Sequence, residues 1–506
     1  MSRAVPRPDP ITEATALVVG VGGIGGPCAW ALADAGVGRL VLVDPDVVET
    51  SNLPRQVLFA AEDCGQPKAE VAARRLARAG LALEAVVGRF DDGTAETLLA
   101  RADVVVDATD GAAAKDLVQR WTVAAGVPFV HAAALGSEGR VLDVPAGGRP
   151  CLACLFGSGA ADAEGDTCAR HGVFPGLTGA VGALAAAAAL DRLRRPRGAS
   201  RGLRVLDLAV PRAVTLAVET DPRCLVCGPG RAAMSRGPAG GPAATPSGAL
   251  ACAPAEVLDL REESCPMNLL RARRAMDRAG PAETLEIWLG AEGAATVPGG
   301  LRSLGHHVVS SEGVGPGLRI RVRRRPGAAA GSAAMGSDAW LRRYARQIVL
   351  SEVGEGGQRA LQAACVRLRG AGTSLAAAAV HLAAAGVGTL EIESAAVPLT
   401  ASEAVRWPYV RAHEGRLASE ALADSLSRHT EATVRATPAS ATGATTLRAE
   451  IAGVEPALEL TIDGGEGALA QAQGALVADA TMRAILAGRA PSLGVRVHPD
   501  GTVASA

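Results

Sequence analysis

Short apolar runs alternate with segments of helical periodicity along the first 230 residues of the chain. The runs ALVVGVG, RLVLVD, ADVVVDATD and PFVHAAAL are built mainly from Val, Leu and Ala. Runs of this length and composition predict buried strands, and the segments between them predict helices. Strands that alternate with helices predict an α/β fold with a Rossmann-like, doubly wound and mostly parallel sheet.

The rest of the chain predicts two further folded parts. Short strands at VLDL, TLEIWLG and LRIRVRR, with a helix opening at Cys265, predict a small two-layer α+β sandwich. A helix, AWLRRYARQIVL, then precedes a second strand–glycine turn–helix pattern. Two stretches rich in Gly, Pro, Ala and Ser are typical of linkers. We therefore expect domains at residues 1–230, 250–325 and 338–506, with linkers at 231–249 and 326–337.

The third part repeats the opening of the first part 350 positions later. Gly20–Asp44 and Gly370–Ser394 share the frame L-A-x-A-G-V-G-x-L, which predicts the same strand–helix–strand fold for both. The second copy has lost residue types that contact nucleotides. Aligned without gaps, the residues and their replacements are Gly23 and Thr373, Gly25 and Leu375, Asp44 and Ser394, Arg55 and Val405, and Lys68 and Ala418. We therefore expect a degenerate Rossmann-like domain in residues 338–506.

Composition and charge exclude several classes of protein. The 506 residues carry a formal net charge of −1, so no excess of basic residues predicts nucleic acid as a partner. No uninterrupted apolar run approaches the roughly 20 residues of a membrane span, and the N-terminal segment lacks the apolar core of a signal peptide. We expect a cytoplasmic protein that binds neither nucleic acid nor membranes.

Four glycines between the first strand and the first helix predict a phosphate site. Gly20, Gly22, Gly23 and Gly25 allow a tight turn and let N–H groups at the helix start approach a phosphate. Asp44 ends the next strand, where a carboxylate can bind ribose hydroxyls. Alone, this pattern indicates a nucleotide and fits a dehydrogenase, or a glycine turn without a ligand.

The polar residues that follow Asp44 favour nucleotidyl transfer over hydride transfer. Asn52, Arg55 and Lys68 come soon after it in the chain. In nucleotidyl transfer, negative charge develops on the α-phosphate and on pyrophosphate, and Arg and Lys stabilise such charge. Asp110, at the end of a later strand, is suited to hold Mg²⁺ on a triphosphate.

Together these motifs resemble the ThiF/MoeB family of adenylyltransferases, relatives of ubiquitin-activating enzymes. GVGGIG, VDPDVVETSNLPRQ, GQPKA, DATDG and two Cys-x-x-Cys pairs carry the resemblance, which covers residues 1–230. It implies that ATP is used to adenylate the C-terminal glycine of a small β-grasp, ubiquitin-like carrier ending in Gly-Gly. It also implies that Asp44 binds the ribose, Asp110 binds magnesium, and Asn52, Arg55 and Lys68 bind phosphates. Gly111 departs from the family, which often has Asn there.

The cysteines favour metal binding and reactive thiols over disulfides. Cys151, Cys154, Cys224 and Cys227 form the two Cys-x-x-Cys pairs. Four thiolates can close a tetrahedral, structural Zn²⁺ site, as the resemblance also implies, and a redox-active pair is the alternative. The family often has a reactive cysteine at the position of Cys168, which we predict to be catalytic, with a bystander thiol as the alternative.

Cys265 precedes Pro266 at a predicted helix start. Free N–H groups there favour a thiolate, which two neighbouring glutamates oppose modestly. The segment resembles the TusA family of sulfur-relay proteins, whose signature is Cys-Pro-x-Pro on a β-α-β-α-β-β fold. Here Asn268 stands at the second proline position. The resemblance implies a persulfide carrier, and the alternative is a spacer domain.

The helix that opens the third part contains Arg343-Tyr344-Ala345-Arg346-Gln347. In the ThiF/MoeB family an N-terminal RYxRQ helix reaches across a dimer, and its second arginine contacts the ATP phosphates of the partner. Arg346 matches that arginine, while the first part lacks such a helix. We therefore predict an intramolecular pseudo-dimer in which the third part supplies Arg346, and the alternative is an amphipathic helix with solvated arginines.

The predicted function combines adenylation with sulfur transfer. ATP, Mg²⁺ and Zn²⁺ are the expected substrate and metals. The expected partners are the Gly-Gly carrier and an upstream persulfide donor such as a cysteine desulfurase. A persulfide on Cys265 would convert the adenylated carrier to a C-terminal thiocarboxylate. The alternatives are adenylation of a ubiquitin-like protein or peptide, or thioester formation on Cys168, without sulfur transfer, and a non-catalytic scaffold or nucleotide sensor.

Overall fold

A computed structural model describes most of the chain, which folds into two compact units. Unit 1 comprises residues 1–166, 173–232 and 357–506, and unit 2 comprises residues 167–172 and 233–356. The described residues are 11–157, 172–210, 212–228, 257–280, 283–325, 336–429, 431–439, 446–452, 454–461, 467–488, 495–497 and 503–505.

An eight-stranded sheet in unit 1 contains the strands predicted for the first part of the chain. The strands are Thr15–Val19 (β1), Arg39–Asp44 (β2), Ala82–Val87 (β3), Val104–Asp107 (β4), Phe129–Leu135 (β5), Glu138–Val144 (β6), Leu203–Asp207 (β7) and Arg212–Leu216 (β8). Their order is β3-β2-β1-β4-β5-β6-β7-β8. Pairing is parallel from β3 to β5 and antiparallel beyond it. The predicted Rossmann-like sheet is confirmed, with an antiparallel extension.

Helices cover this sheet because its central strands, β1, β2 and β4, are mostly buried and must be shielded from water on both faces. The helices are Gly25–Asp34 (α1), Lys68–Leu76 (α2), Ala95–Leu99 (α3), Ala112–Ala125 (α4), Leu152–Phe156 (α5) and Pro175–Arg194 (α6). Helix α6 is long and apolar enough to cross a membrane, but 89% of its apolar window is buried inside the protein. A buried core helix passes the same test, so α6 is weak evidence for a membrane span.

Unit 2 contains a four-stranded sheet, with β9 and β10 parallel and the other neighbours antiparallel. Its order is β11-β12-β10-β9. Its elements are Val257–Leu260 (β9), Met267–Arg278 (α7), Thr284–Leu289 (β10), Ala291–Ser303 (α8), His307–Val314 (β11), Gly317–Arg323 (β12) and Asp338–Ile348 (α9). Apolar residues of α7 and α8 form one core with the strands. This β-α-β-α-β-β order confirms the predicted small α+β sandwich.

Helix α9, which carries the RYxRQ motif, packs within unit 2. Leu341, Tyr344, Ala345 and Ile348 lie on one helical face and form a buried cluster with apolar residues of α7, among them Leu270. This i, i+3, i+4, i+7 spacing is that of an amphipathic helix. The sequence pattern groups this helix with the third part of the chain, whereas the structure packs it on the part that contains Cys265.

The remaining part of unit 1 forms a second, five-stranded sheet and a separate pair of strands, Val495–Val497 and Val503–Ser505. Its elements, beginning with a helix whose first residues belong to unit 2, are Gly354–Ala363 (α10), Cys365–Arg369 (β13), Gly372–Ala385 (α11), Thr389–Ala395 (β14), Ala401–Ala404 (α12), Ala418–His429 (α13), Thr433–Ala439 (β15), Thr446–Ile451 (β16), Val454–Thr461 (β17), Ala468–Ala487 (α14), Val495–Val497 (β18) and Val503–Ser505 (β19). Strands β15, β14 and β13 are parallel, and β16 and β17 continue the sheet antiparallel.

The two sheets share their local structure where the sequence repeats. The Gly20 N–H donates to the carbonyl of Val43 at 2.8 Å, and the Gly370 N–H donates to the carbonyl of Glu393 at 3.1 Å. Strands β1 and β2 pair in the same relative register as β13 and β14. The repeated segments thus have the same local fold, in the register that the ungapped alignment predicts.

Small residues let helices of the two sheets pack closely inside unit 1. Helix α6 packs on α14 and α11, and α1 also contacts α14. A Cβ at Gly176 would lie 2.6 Å from the carbonyl oxygen of Ala475, and one at Gly179 would lie 2.0 Å from Nε2 of His381. Larger side chains would separate these helices. Helices α1 and α6 of the first copy therefore pack against helices α11 and α14 of the second copy.

Candidate functional site

The glycine turn between β1 and α1 lies at the carboxyl edge of the first sheet. Gly20 has a φ of 86°, in the left-handed region, and a Cβ there would lie 2.8 Å from the carbonyl oxygen of Ala108. A Cβ at Gly25 would lie 1.8 Å from the carbonyl oxygen of Gly20. The turn excludes side chains at both positions, so that the backbone at the start of α1 can closely approach a phosphate.

Asp44 ends β2 beside this turn and is buried. Its Oδ2 accepts the N–H of Val21 at 2.7 Å, and its Oδ1 accepts the N–H of Asp46 at 2.9 Å. Burial raises the pKa of Asp44, and the positive charge of Lys68 partly opposes that effect. The carboxylate is thus oriented by the glycine turn itself, as a ribose-binding group requires.

Asn52 and Arg55 follow Asp44 in a short turn against the glycines. The Oδ1 of Asn52, which is buried, accepts the N–H of Glu49 at 3.2 Å. The guanidinium of Arg55 donates to the carbonyl of Ser51 at 2.9 Å. The stem of Arg55 packs on Gly23, where a Cβ would lie 3.4 Å from its Cγ. The predicted phosphate-binding arginine therefore contacts the predicted phosphate turn.

Gly22 packs on a second residue of the same segment. A Cβ at Gly22 would lie 3.4 Å from Nε2 of Gln56, which is buried. The glycine turn is therefore supported along its length by the residues that follow Asn52.

Lys68 is the first residue of α2 and only 6% exposed. Its Nζ lies 2.9 Å from Oδ2 of Asp46, a residue whose side chain is mostly exposed. A buried ammonium ion is costly unless it is paired, and this pair holds the charge of Lys68 at the edge of the sheet. The counterpart in the repeat, Ala418, also begins a helix and brings no charge.

Asp110 is exposed at the end of a turn that a buried pair holds in place. Oδ1 of Asp107 accepts the N–H and the hydroxyl of Thr109 at 3.1 and 2.7 Å, and its Oδ2 lies 2.8 Å from Nδ1 of His131. Burial acts to raise the pKa of Asp107, but the hydrogen bond and charge of His131 bring it below its ordinary value. Neither Asp107 nor His131 is predicted as a site residue from the sequence, although both lie on neighbouring buried strands.

The four predicted metal ligands come together in unit 1. Within the part of the chain that the structure describes, the Sγ atoms of Cys151, Cys154, Cys224 and Cys227 all lie within 4.8 Å of one another. Cys151 is 3.6 Å from Cys224 and 3.9 Å from Cys154, and Cys154 is 3.4 Å from Cys227. Tetrahedral zinc with bonds of about 2.3 Å separates its sulfurs by about 3.8 Å. The cluster therefore has the size of a metal site.

Cys265, in unit 2, is buried immediately before α7. Its Sγ lies 3.3 Å from Oδ1 of Asn268 and 3.0 Å from Oγ1 of Thr296. Its N–H donates to Oε1 of Glu292 at 3.1 Å. Asn268, at the position where the TusA signature has proline, therefore contacts the sulfur, and Thr296 is a second polar neighbour that the sequence pattern does not identify.

Two further residues, Cys168 and Arg346, are predicted to be catalytic. Cys168 lies outside the described residues. Arg346 lies on α9 in unit 2, whereas the glycine turn lies in unit 1. Their catalytic roles therefore stay predictions.

Two family models match the chain in agreement with this geometry. The ThiF family matches residues 7–226, and Sulfurtransferase TusA matches residues 256–324. The SAMP-activating enzyme E1 of Haloferax volcanii is 39% identical over 217 residues, which are 42% of this chain and 80% of that protein.

The chain belongs to the ThiF family. A further relative is the Sulfur carrier protein ThiS adenylyltransferase of Escherichia coli K12, which is 34% identical over 43% of this chain and 87% of its own length. The Bos taurus protein named Adenylyltransferase and sulfurtransferase MOCS3 is 44% identical over 35% of this chain, and the match spans 39% of that protein. The ThiF-family match contains every residue predicted for the nucleotide site except Arg346, and the TusA match contains Cys265.

Proposed function

We propose that this chain adenylates the C-terminal glycine of a small ubiquitin-like carrier protein and then delivers sulfur to it as a thiocarboxylate. One observation carries the adenylation step: the glycine turn, Asp44, Arg55 and Lys68 meet at one edge of the sheet in a chain of the ThiF family. The names of the relatives, which include a sulfur carrier protein adenylyltransferase, support the choice of substrate.

In the adenylation step, ATP lies on the glycine turn with its ribose at Asp44. Asn52, Arg55 and Lys68 bind the phosphates. The terminal carboxylate of the carrier attacks the α-phosphorus, the bond to the β-phosphate breaks, and pyrophosphate leaves with the electron pair. The products are an acyl-adenylate and pyrophosphate. Arg55 and Lys68 stabilise the charge that develops on the departing group, which is a major source of catalysis in such reactions.

Two metals fit the residues that are present. Four clustered thiols are the donor set of structural zinc, and they leave no position open for chemistry. Asp110 offers an exposed carboxylate, which is a usual ligand for Mg²⁺ on a triphosphate. In this proposal zinc stabilises the fold around β5 and α5, and magnesium neutralises phosphate charge.

In the sulfur-transfer step, a persulfide on Cys265 attacks the carbonyl carbon of the acyl-adenylate. A carbon–sulfur bond forms and AMP leaves. A second thiol, either Cys168 or an external one, then attacks the Cys265 sulfur and releases the thiocarboxylate, leaving a disulfide that an external dithiol reduces while it is itself oxidised to a disulfide. The persulfide itself comes from an upstream donor such as a cysteine desulfurase.

The second copy of the repeat has a supporting role in this proposal. Its helices α11 and α14 pack on α1 and α6, as expected for an intramolecular pseudo-dimer, and its missing charges fit a copy that does not bind ATP. We also propose that Arg346 binds a phosphate of ATP and that the protein is cytoplasmic.

Carrier-dependent exchange between ATP and labelled pyrophosphate tests the adenylation step. Lys68→Ala should abolish exchange because it removes a buried cation. Arg101→Ala, which breaks a surface ion pair with Glu84 of β3, should leave exchange intact. Exchange by the Lys68→Ala variant at the wild-type rate would refute the assigned site.

Mass spectrometry of the carrier tests the sulfur step. Replacement of one oxygen by one sulfur, lost in a Cys265→Ser variant that still exchanges pyrophosphate, supports it. A stable thioester or AMP adduct as the end product would instead show activation without sulfur transfer.

A further inference from the structure

Arg483, on α14 of the second copy, contacts the first copy directly. Its guanidinium carbon lies 4.0 Å from the centre of the Phe174 ring. Its Nη2 donates to Oγ of Ser137 at 3.1 Å, and its Nε donates to Oδ2 of Asp479 at 2.7 Å. With 17% of its side chain exposed, Arg483 combines a charge-assisted hydrogen bond with a cation–π contact, both of which strengthen as water is excluded.

The residues that Arg483 contacts define the start of α6. Phe174 is the N-cap residue of this helix, and its N–H donates to the carbonyl of Gly136, next to Ser137, at 3.3 Å. A Cβ at Gly176 would lie 2.7 Å from the backbone nitrogen of Asp479. The first turn of α6 is therefore in direct contact with the backbone of α14.

The same part of α6 also contacts the predicted phosphate site. Thr178 donates its hydroxyl to the carbonyl of Pro175 at 2.8 Å, which fixes the side chain. A Cβ at Gly23 would lie 3.4 Å from Cβ of Thr178 and 3.3 Å from the carbonyl oxygen of Arg55. The phosphate turn, the phosphate-binding arginine and the first turns of α6 are thus in mutual contact.

We propose that Arg483 and Asp479, carried by the copy that has lost its nucleotide-binding residues, are positioning residues for the phosphate turn of the other copy. They fix the first turn of α6, and Thr178 transmits this position to Gly23 and Arg55. This inference rests on the proposed adenylation activity for its catalytic consequence. It gives the second copy a specific role at the active site besides covering an apolar face.

The physical basis of this proposal is the close packing of α14, the start of α6 and the phosphate turn, so that a shift in one displaces the next. Contacts between packed side chains and backbone can carry coupling between two sites, but only a measured coupling distinguishes this from simple adjacency. A merely structural Arg483 would stabilise the contact between the copies, and its loss would leave the phosphate turn unchanged in the folded protein.

The test compares Arg483→Met, Arg483→Lys and a control variant in the full chain. Met keeps an apolar stem and removes the charge. Lys keeps the ion pair with Asp479 but cannot reproduce the planar contact with Phe174. Arg369→Met is the matched control, because its ion pair with Glu393, at 2.6 Å, lies within the second sheet.

Amide hydrogen exchange without nucleotide is the first readout, because it does not depend on the proposed activity. The Thr178 N–H bonds to the carbonyl of Phe174, and the Gly26 N–H bonds to that of Gly22. Both amides should exchange faster in Arg483→Met, less so in Arg483→Lys, and as in the wild type in Arg369→Met. Faster exchange confined to α14 and Ser137, with Thr178 and Gly26 unchanged in both Arg483 variants, would overturn the proposal.

Pyrophosphate-exchange kinetics are the second readout. The KM for ATP should rise in Arg483→Met by about 2- to 30-fold, the range that corresponds to typical coupling free energies, with a smaller change in kcat. An unchanged KM in a folded variant that retains wild-type kcat would also overturn the proposal. If the wild-type chain shows no exchange activity, the proposed function fails, while the amide exchange data still decide whether Arg483 positions the turn.

Discussion

Loss of the metal from the four-cysteine cluster should destabilise the part of unit 1 that is built around β5 and α5. Cys151, Cys224 and Cys227 belong to the same buried core as Phe129 and Leu203. The Nε of Arg149 donates to the carbonyl of Cys227 at 2.6 Å and ties the second cysteine pair to the loop before the first pair. We expect one zinc ion per chain, and we expect Cys151→Ser to lose it.

The expected magnitude follows from the geometry. Three of the sulfur–sulfur distances lie between 3.4 and 3.9 Å, so little rearrangement is needed to reach the roughly 3.8 Å of a tetrahedral zinc site. Structural zinc binds such sites with ~10–16 kcal/mol, whereas a whole domain is stable by only ~5–15 kcal/mol. Removing the ion should therefore unfold at least this region rather than weaken it slightly.

Metal analysis combined with thermal unfolding tests this prediction. Metal content per chain is measured by mass spectrometry, and unfolding is followed with and without a chelator, for the wild type and for Cys151→Ser. Cys28→Ala is the matched control, because Cys28 is fully buried in α1 and is not among the clustered cysteines. It should lose some packing energy but retain the metal. A stable, metal-free wild type with disulfides between the four cysteines would refute the reasoning and favour redox chemistry.

Three further predictions concern other parts of the chain. Burial lowers the pKa of His381 to about 4, so His381 takes up a proton below about pH 6.5 in the unfolded chain but not in the folded chain. About 2 kcal/mol of folding stability should therefore be lost as the pH falls from 6.5 to 5. His381→Gln should remove this pH dependence in unfolding titrations. Gly25→Ala would place a Cβ 1.8 Å from a backbone oxygen and should abolish ATP binding in calorimetry, whereas Gly88→Ala, which meets no atom within 4 Å, should not. Thr296→Val removes the hydroxyl 3.0 Å from Sγ of Cys265, a group that can donate to this sulfur when the thiol reacts in its ionised form. It should slow alkylation of the Cys265 peptide about fivefold, as expected for a hydrogen bond of ~1 kcal/mol, while Thr296→Ser should retain the rate.

Local spacing explains why much of the nucleotide site could be predicted from the sequence. A strand, a glycine turn and a helix are contiguous in the chain, so Gly20, Gly25 and Asp44 reach one sheet edge through the fold of a single strand–helix–strand unit. The same holds for Lys68, which begins the next helix. Each Cys-x-x-Cys pair is also local, because only two residues separate its two cysteines.

Contacts between distant segments could not be predicted in this way. The pairing of Asp107 with His131 depends on which strands are neighbours, and Thr296 reaches Cys265 only because α8 packs beside α7. Helix α9 is amphipathic in sequence, but its pattern does not state which surface it covers, and the structure places it on α7 in unit 2. The apolar pattern specifies a buried face, whereas shape complementarity selects the partner.

The repeat shows the same division between sequence and tertiary structure. The sequence alone determined that the second copy keeps the strand–helix–strand frame and loses the charges at Asp44 and Lys68, because these properties belong to individual positions. Only the tertiary structure decided that α14 of this copy lies against the start of α6 and brings Arg483 to Phe174. Hydrophobic burial drives such helices together without direction, and the close backbone approach at Gly176 determines which surfaces fit.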